Sequence, residues 1–114
     1  MKYLLSAILL FLVQFNLSCS SSGKDEYNEK TPEGAYKLAE MFTKKKRYED
    51  ALARLRTIKN KFPYSKYAIL SELKIADIEF KREYWPEAET AYRLFKEFHP
   101  KHEKSDYVLS LIHI

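Results

Sequence analysis

One cysteine, three histidines and a few helix-borne carboxylates are the side chains from which this chain could build chemistry. Cys19 stands alone, so it closes no internal disulfide and is free for a covalent modification. His99 and His102 are separated by a stretch containing Pro100, which keeps any helix from aligning their rings. With no thiolate near them or near His113, a zinc site is not expected. Asp77, Glu79 and Glu83 read as solvated helix charges, since a catalytic carboxylate pair needs a pocket around it. A glycine-rich phosphate loop is absent from a chain with only two glycines. The expectation is therefore no enzyme, no metal and no cofactor beyond a covalent group on Cys19.

The elements that carry these residues come in two copies. Tyr48, Ala51, Leu55, Ile58 and Pro63 are answered 37 positions later by Trp85, Ala88, Tyr92, Phe95 and Pro100, and Ala39 by Ala76. A period of this size with helical spacing inside it marks a helical-repeat solenoid. Such units build surfaces for protein partners. The helix signals agree. Thr31-Pro32-Glu33 combines a cap, a proline tolerated in the first turn and a dipole-favoured acid, ahead of the stripe Ala35, Leu38, Ala39, Phe42. Tyr48 opens a second helix with Ala51, Leu52, Leu55, Ile58 and Phe62 on one face. Ser65 caps a third, striped by Ala68, Ile69, Leu73, Ala76 and Phe80 and ending near Glu83. Trp85 opens a fourth, with Ala88, Ala91, Tyr92, Phe95 and Phe98, stopped by His99-Pro100. Asp106 to Ile112 begins a fifth. No stretch alternates as a strand does. The fold class expected is all-α: two helical hairpins plus the start of a third in a short right-handed solenoid.

The first eighteen residues stand apart. Met1-Lys2 is positive, Leu4 to Val13 is almost wholly apolar, and small residues surround Cys19. The run is too short to span a bilayer, which takes about 20 residues. Together these describe a secretory signal peptide over 1–18. Ser18-Cys19, after the apolar core and before Ser20-Ser21-Ser22-Gly23, resembles the lipobox of bacterial lipoproteins, although Asn16 stands where an aliphatic residue is usual. The resemblance implies a lipid on Cys19, then a polar flexible tether over 19–31. Without Lys2, 19 basic side chains face 16 acidic ones, a mild net +3. Lys44-Lys45-Lys46-Arg47 reads as a solvated turn, so no nucleic-acid partner is expected.

The alanine, aromatic and proline positions of residues 32–63 and 64–100 resemble the tetratricopeptide repeat, whose usual period is roughly 34 residues. Tyr64-Ser65-Lys66 looks like the insertion that lengthens it here, and residues 104–114 look like an incomplete third copy. A narrower set (Asn60 to Ala68, Glu83 to Ala88, Phe98 to His102 and Ser105 to Val108) resembles the BamD family of outer-membrane assembly lipoproteins over about residues 32 to 108. That resemblance implies a lipid-anchored protein on the periplasmic face of the outer membrane. It implies partners too: unfolded outer-membrane protein precursors, the barrel component of the β-barrel assembly machinery and its accessory lipoproteins. Family members carry more repeats than are present here, and Leu109 to Ile114 fits them poorly, which makes the sequence look like a truncated piece.

Carrying the repeat's groove positions onto this chain gives Tyr36, Glu40, Thr43 and Lys44 in the first copy and Leu70, Leu73, Asp77, Phe80 and Lys81 in the second. Phe62, Tyr64 and Tyr67 join them at the junction as candidate peptide-binding residues. Tyr36 and Tyr64 are expected on the surface, with Phe62 and Tyr67 divided between core and site. A periplasmic repeat lipoprotein acting as an envelope or cell-wall scaffold is the alternative. With so few repeats, Phe95, Leu109 and Leu111 are expected to leave an apolar end exposed.

Overall fold

The computed structural model describes residues 1, 3–4 and 27–113. Cys19 and most of the expected leader lie outside them. From Pro32 onward, among the described residues, five helices follow one another: α1 Pro32–Lys44, α2 Tyr48–Lys61, α3 Lys66–Lys81, α4 Trp85–Phe98 and α5 Ser105–Ile112. Short connections make neighbours antiparallel, so α1–α2 and α3–α4 are hairpins and α5 opens a third unit. No strand occurs among the described residues, and none of their helices is long and apolar enough to cross a membrane. The molecule is an all-α helical-repeat solenoid.

Small residues set the spacing. Ala39, Ala51 and Ala76 are fully buried and Ala88 is 2% exposed, so the paired helices approach closely. Around them form two clusters. Ala35, Ala39, Ala51, Leu52, Leu55 and Ile58 of the first hairpin close over Ile78 of α3. Leu73 and Ala76 of the same helix join Ala88, Tyr92, Phe95 and Val108 in the second. Each large aliphatic side chain sealed in this way contributes roughly 1.5–3 kcal/mol. Phe95 is 1% exposed, contrary to the expected open end, because Val108 of α5 packs over it. The reverse holds for Phe98, which was expected in the α4 stripe and is 67% exposed.

Both hairpin turns end their first helix in the same way. Lys46 (φ 59°) and Glu83 (φ 63°) are left-handed. The Arg47 N–H donates to the Phe42 carbonyl and the Lys46 N–H to that of Thr43. Tyr84 and Glu83 repeat this on Glu79 and Phe80. This Schellman closure satisfies carbonyls that the helix end leaves unpaired. Helix α3 therefore stops at Lys81, short of the Glu83 region expected. At Arg82, burial works against the charge, but Glu49 (2.6 Å) and Glu79 (3.5 Å) outweigh it and raise its pKa. Arg82 thereby ties α3 to α2.

The end of the expected tether is folded. The Thr31 N–H and hydroxyl both donate to the Asn28 carbonyl, and the Gly34 N–H donates to Thr31 Oγ1. Asn28 lies so close to Gly34 that an added Cβ would collide with its backbone N, C and O.

Two substitutions check these turns. Gly34→Ala is expected to displace the Asn28–Thr31 turn and cost about 1–3 kcal/mol, read by chemical denaturation. Lys46→Gly and Glu83→Gly relieve a left-handed non-glycine residue and are each expected to stabilise by about 0.5–1 kcal/mol, seen as a higher midpoint.

Candidate peptide-binding site

Helices α1, α3 and α5 share one face, and their polar positions converge there. In α1 the spacing Tyr36, Glu40, Thr43 places three residues on one stripe; in α3 Leu70, Lys74, Asp77 and Lys81 do the same. The two stripes meet. The Tyr36 and Tyr67 rings lie 5.6 Å apart at 45°. Lys74 Nζ reaches Glu40 Oε1 at 3.3 Å and stands 5.9 Å from the centre of the Tyr36 ring. Beside them opens a cavity of about 420 Å³ lined by Thr43, Lys74, Asp77, Ile78, Phe80, Lys81, Tyr92 and Tyr107.

Asp77 organises the cavity. The Tyr92 hydroxyl donates to Asp77 Oδ1 at 2.6 Å. Burial pushes the Asp77 carboxyl above its ordinary range; the Tyr92 bond and nearby Lys74, Lys104 and Lys81 oppose this without cancelling it. Burial also raises the Tyr92, Tyr36 and Tyr107 phenols, helped at each by the Asp77 charge. All three phenols stay neutral at physiological pH and can donate hydrogen bonds. Lys81 is exposed, and its charge, which also acts on Asp77, faces the groove.

Not every residue expected in the groove is there. Tyr36, Glu40, Thr43, Tyr67, Asp77 and Lys81 come together. Leu73 is 4% exposed, sealed in the second cluster, and offers no surface. Phe80 reaches the cavity wall but mainly packs inward, edge-on to Trp85 at 4.9 Å and Tyr92 at 6.5 Å. Leu70 is half-buried on α3 and Lys44 is exposed at the end of α1. Tyr36 is half-buried against the first cluster instead of standing free. Phe62 borders a separate hollow with Glu29, Lys30 and Arg54. Tyr64 is 101% exposed at the tip of the α2–α3 turn, away from the groove. Lys74 and Tyr107 were missed. Lys74 lies four residues after Leu70 and three before Asp77, on the same stripe, and that spacing was the available signal.

The histidines take structural places. His99 Nε2 meets Glu72 Oε2 at 2.8 Å. The His99 and His102 rings both pack on Phe95, at 5.1 and 5.3 Å. Among the described residues no cluster of three or more His, Cys, Asp or Glu side chains is placed to hold a metal ion.

Stacked helical hairpins with a shared polar and aromatic face define a repeat scaffold for protein–protein contact. A family model for the tetratricopeptide repeat matches residues 23–113, and the chain belongs to that family. Its repeats are a protein-interaction fold and generally non-enzymatic.

The Asp77 environment yields a pH prediction. A folded-state pKa above the unfolded one makes the native state bind the extra proton, so this contribution to stability falls as pH rises through that window. Asp77→Asn removes the ionisation. It is expected to be more stable than wild type at neutral pH, and the gap is expected to close as pH drops toward about 4, the ordinary carboxylate range. Thermal melts of both proteins across pH check it.

Proposed function

We propose that the groove between α1, α3 and α5 receives unfolded outer-membrane protein precursors, and that the protein is an outer-membrane lipoprotein of the β-barrel assembly machinery. One observation carries the reading: the Tyr36–Tyr67 pair beside the cationic side of the Asp77 cavity. An extended peptide ending in an aromatic residue presents a ring and a carboxylate. The ring fits against Tyr36 and Tyr67, where aromatic pairing contributes about 0.5–1.5 kcal/mol beyond burial. The carboxylate is met by Lys81 and Lys74. The residues that resemble the BamD family support the same substrate class. A lipid on Cys19 would hold the domain at the periplasmic face, and the barrel component and accessory lipoproteins are the partners this role requires.

The exposed Leu94 and Phe98 on α4, 46% and 67% exposed, favour a second reading as a periplasmic scaffold that docks envelope or cell-wall proteins through that outer surface.

Binding of a peptide with an aromatic C-terminus, followed by calorimetry, separates the two. Tyr36→Ala and Lys81→Glu are each expected to weaken it about tenfold, or about 1.4 kcal/mol. Tyr64→Ala is expected to leave it unchanged. An intact domain that does not bind the peptide, but still captures a partner in a Phe98-dependent way, would establish the scaffold reading instead.

A further inference from the structure

The α2–α3 turn is closed by hydrogen bonds and presents one residue outward. Helix α2 ends at Lys61, the Ser65 N–H and hydroxyl both donate to the Phe62 carbonyl, and Ser65 Oγ accepts from the Ala68 N–H. Tyr64 stands at the apex, 101% exposed. An ordered aromatic ring held fully in water at a tight turn stabilises nothing in this fold.

Charge along the chain through the α2–α3 turn is one-sided, although Glu29, Glu33 and Glu72 lie on neighbouring turns. From Ala51 to Ser71 the chain holds Arg54, Arg56, Lys59, Lys61 and Lys66 and no acidic residue. Lys30 and Lys61 border the same hollow of about 630 Å³ beside Phe62. The one carboxylate lining it, Glu29, is held by Arg54 at 3.1 Å. Lys30, Lys61 and Lys66 form no ion pair among the described residues, and Lys66 lies 5.2 Å from the centre of the Tyr67 ring.

This is also the end where the chain arrives from Cys19. Cys19 and Asn28 are nine positions apart in the chain, a reach of at most about 30 Å when extended. Helix α1 then runs some 20 Å away, so the denser basic run Lys44 to Arg47 sits at the opposite end.

We propose that Tyr64 with Lys30, Lys61 and Lys66 is a contact for an anionic lipid headgroup surface, a second attachment point that orients the domain on the membrane. The idea rests on the reading of the N-terminus as membrane-anchored. The chemistry favours lipid over a protein partner. Protein interfaces are depleted in lysine at their centre and need a broad packed patch. Here one fully exposed ring, Tyr64, stands on a stretch of chain whose charges are all basic. Tyrosine settles at the headgroup level, and lysines attract anionic lipid while their stems lie along the apolar boundary. Two attachments hold the hairpins upright, with the Lys44–Arg47 turn projecting away.

The test uses the full chain, purified and reconstituted into vesicles of phosphatidylethanolamine and phosphatidylglycerol, whatever its N-terminus carries. Tyr64→Trp in a Trp85→Phe background gives a single tryptophan, at the turn, excited apart from the tyrosines, and circular dichroism confirms that the helices persist. The acyl chains carry bromine near the headgroup. The expected result is a blue-shifted, quenched emission. That quenching is lost when phosphatidylcholine replaces phosphatidylglycerol, or when Lys61→Gln and Lys66→Gln are added. Unquenched emission from vesicle-bound protein overturns the proposal, and so does a chain that fails to associate. Mass spectrometry of the same sample reads Cys19 separately: quenching with an unmodified Cys19 keeps the headgroup contact and ends the lipidation reading.

Discussion

The rest of the structure depends on α3 burying two faces at once. Ile78 closes the first cluster, while Leu73 and Ala76 belong to the second. A helix in a lone hairpin buries one stripe and leaves the other to water. Here the second stripe becomes the floor of the next unit, and Ser71 and Ala76, both fully buried, mark how little room is left. This sharing explains why so few helices make a coherent stack. Each hairpin cannot finish its own core, so the two become one cooperative body. Arg82 adds to the join, but its partner Glu49 is 75% exposed, and an ion pair so open to water contributes little. Apolar burial along α3 is the larger effect.

The two-faced helix also decides what the groove contains. Repeat symmetry sets Tyr36 and Leu73 as equivalents, 37 positions apart, and predicts the same role for both. Leu73 instead sits in the cluster that holds Val108, while Tyr36, in the first repeat, has Tyr67 and Lys74 beside it on the open side. Equivalent positions in a solenoid differ wherever the number of flanking units differs. The aromatic surface of the groove is therefore set by which helices pack on each copy. The same logic buries Phe95, which α5 covers even though that helix is only 8 residues long.

Most of the helices were legible because 3.6-residue apolar periodicity and caps such as Thr31 and Ser65 are local signals, and the structure uses both caps. What was not legible had non-local or chemically disguised causes. The hairpin turns require a left-handed residue, usually glycine, and here Lys46 and Glu83 fill the place, so nothing in composition marks it. The Asn28–Gly34 approach is backbone against backbone and leaves only one glycine as its trace. Lys74 went unseen because an isolated lysine on a helix looks like solvated charge until Glu40 and Tyr36 of another hairpin are placed beside it. For the groove, then, sequence identified one stripe on each helix but could not say which members another element would cover.

Tyrosine shows how environment, not residue type, assigns the work. Tyr92 is 2% exposed; its ring fills the second cluster and its hydroxyl must find a partner there, which Asp77 supplies. That bond opposes the cost that burial imposes on the Asp77 charge, so the core residue and the groove residue are one unit: loosening either changes the other. Tyr36 is half-buried, packed against the first cluster and beside Tyr67, and the remainder of its ring is available to a ligand. Tyr64 commits nothing to the fold. Along this series the contribution to stability falls while availability to a partner rises. A residue that does no work inside a small, closely packed domain is the one whose presence must be explained from outside it. On that ground the turn at Tyr64 and the groove at Tyr36 are separate surfaces, and a change at one has no physical route to the other except through α3, whose two buried faces hold it in place.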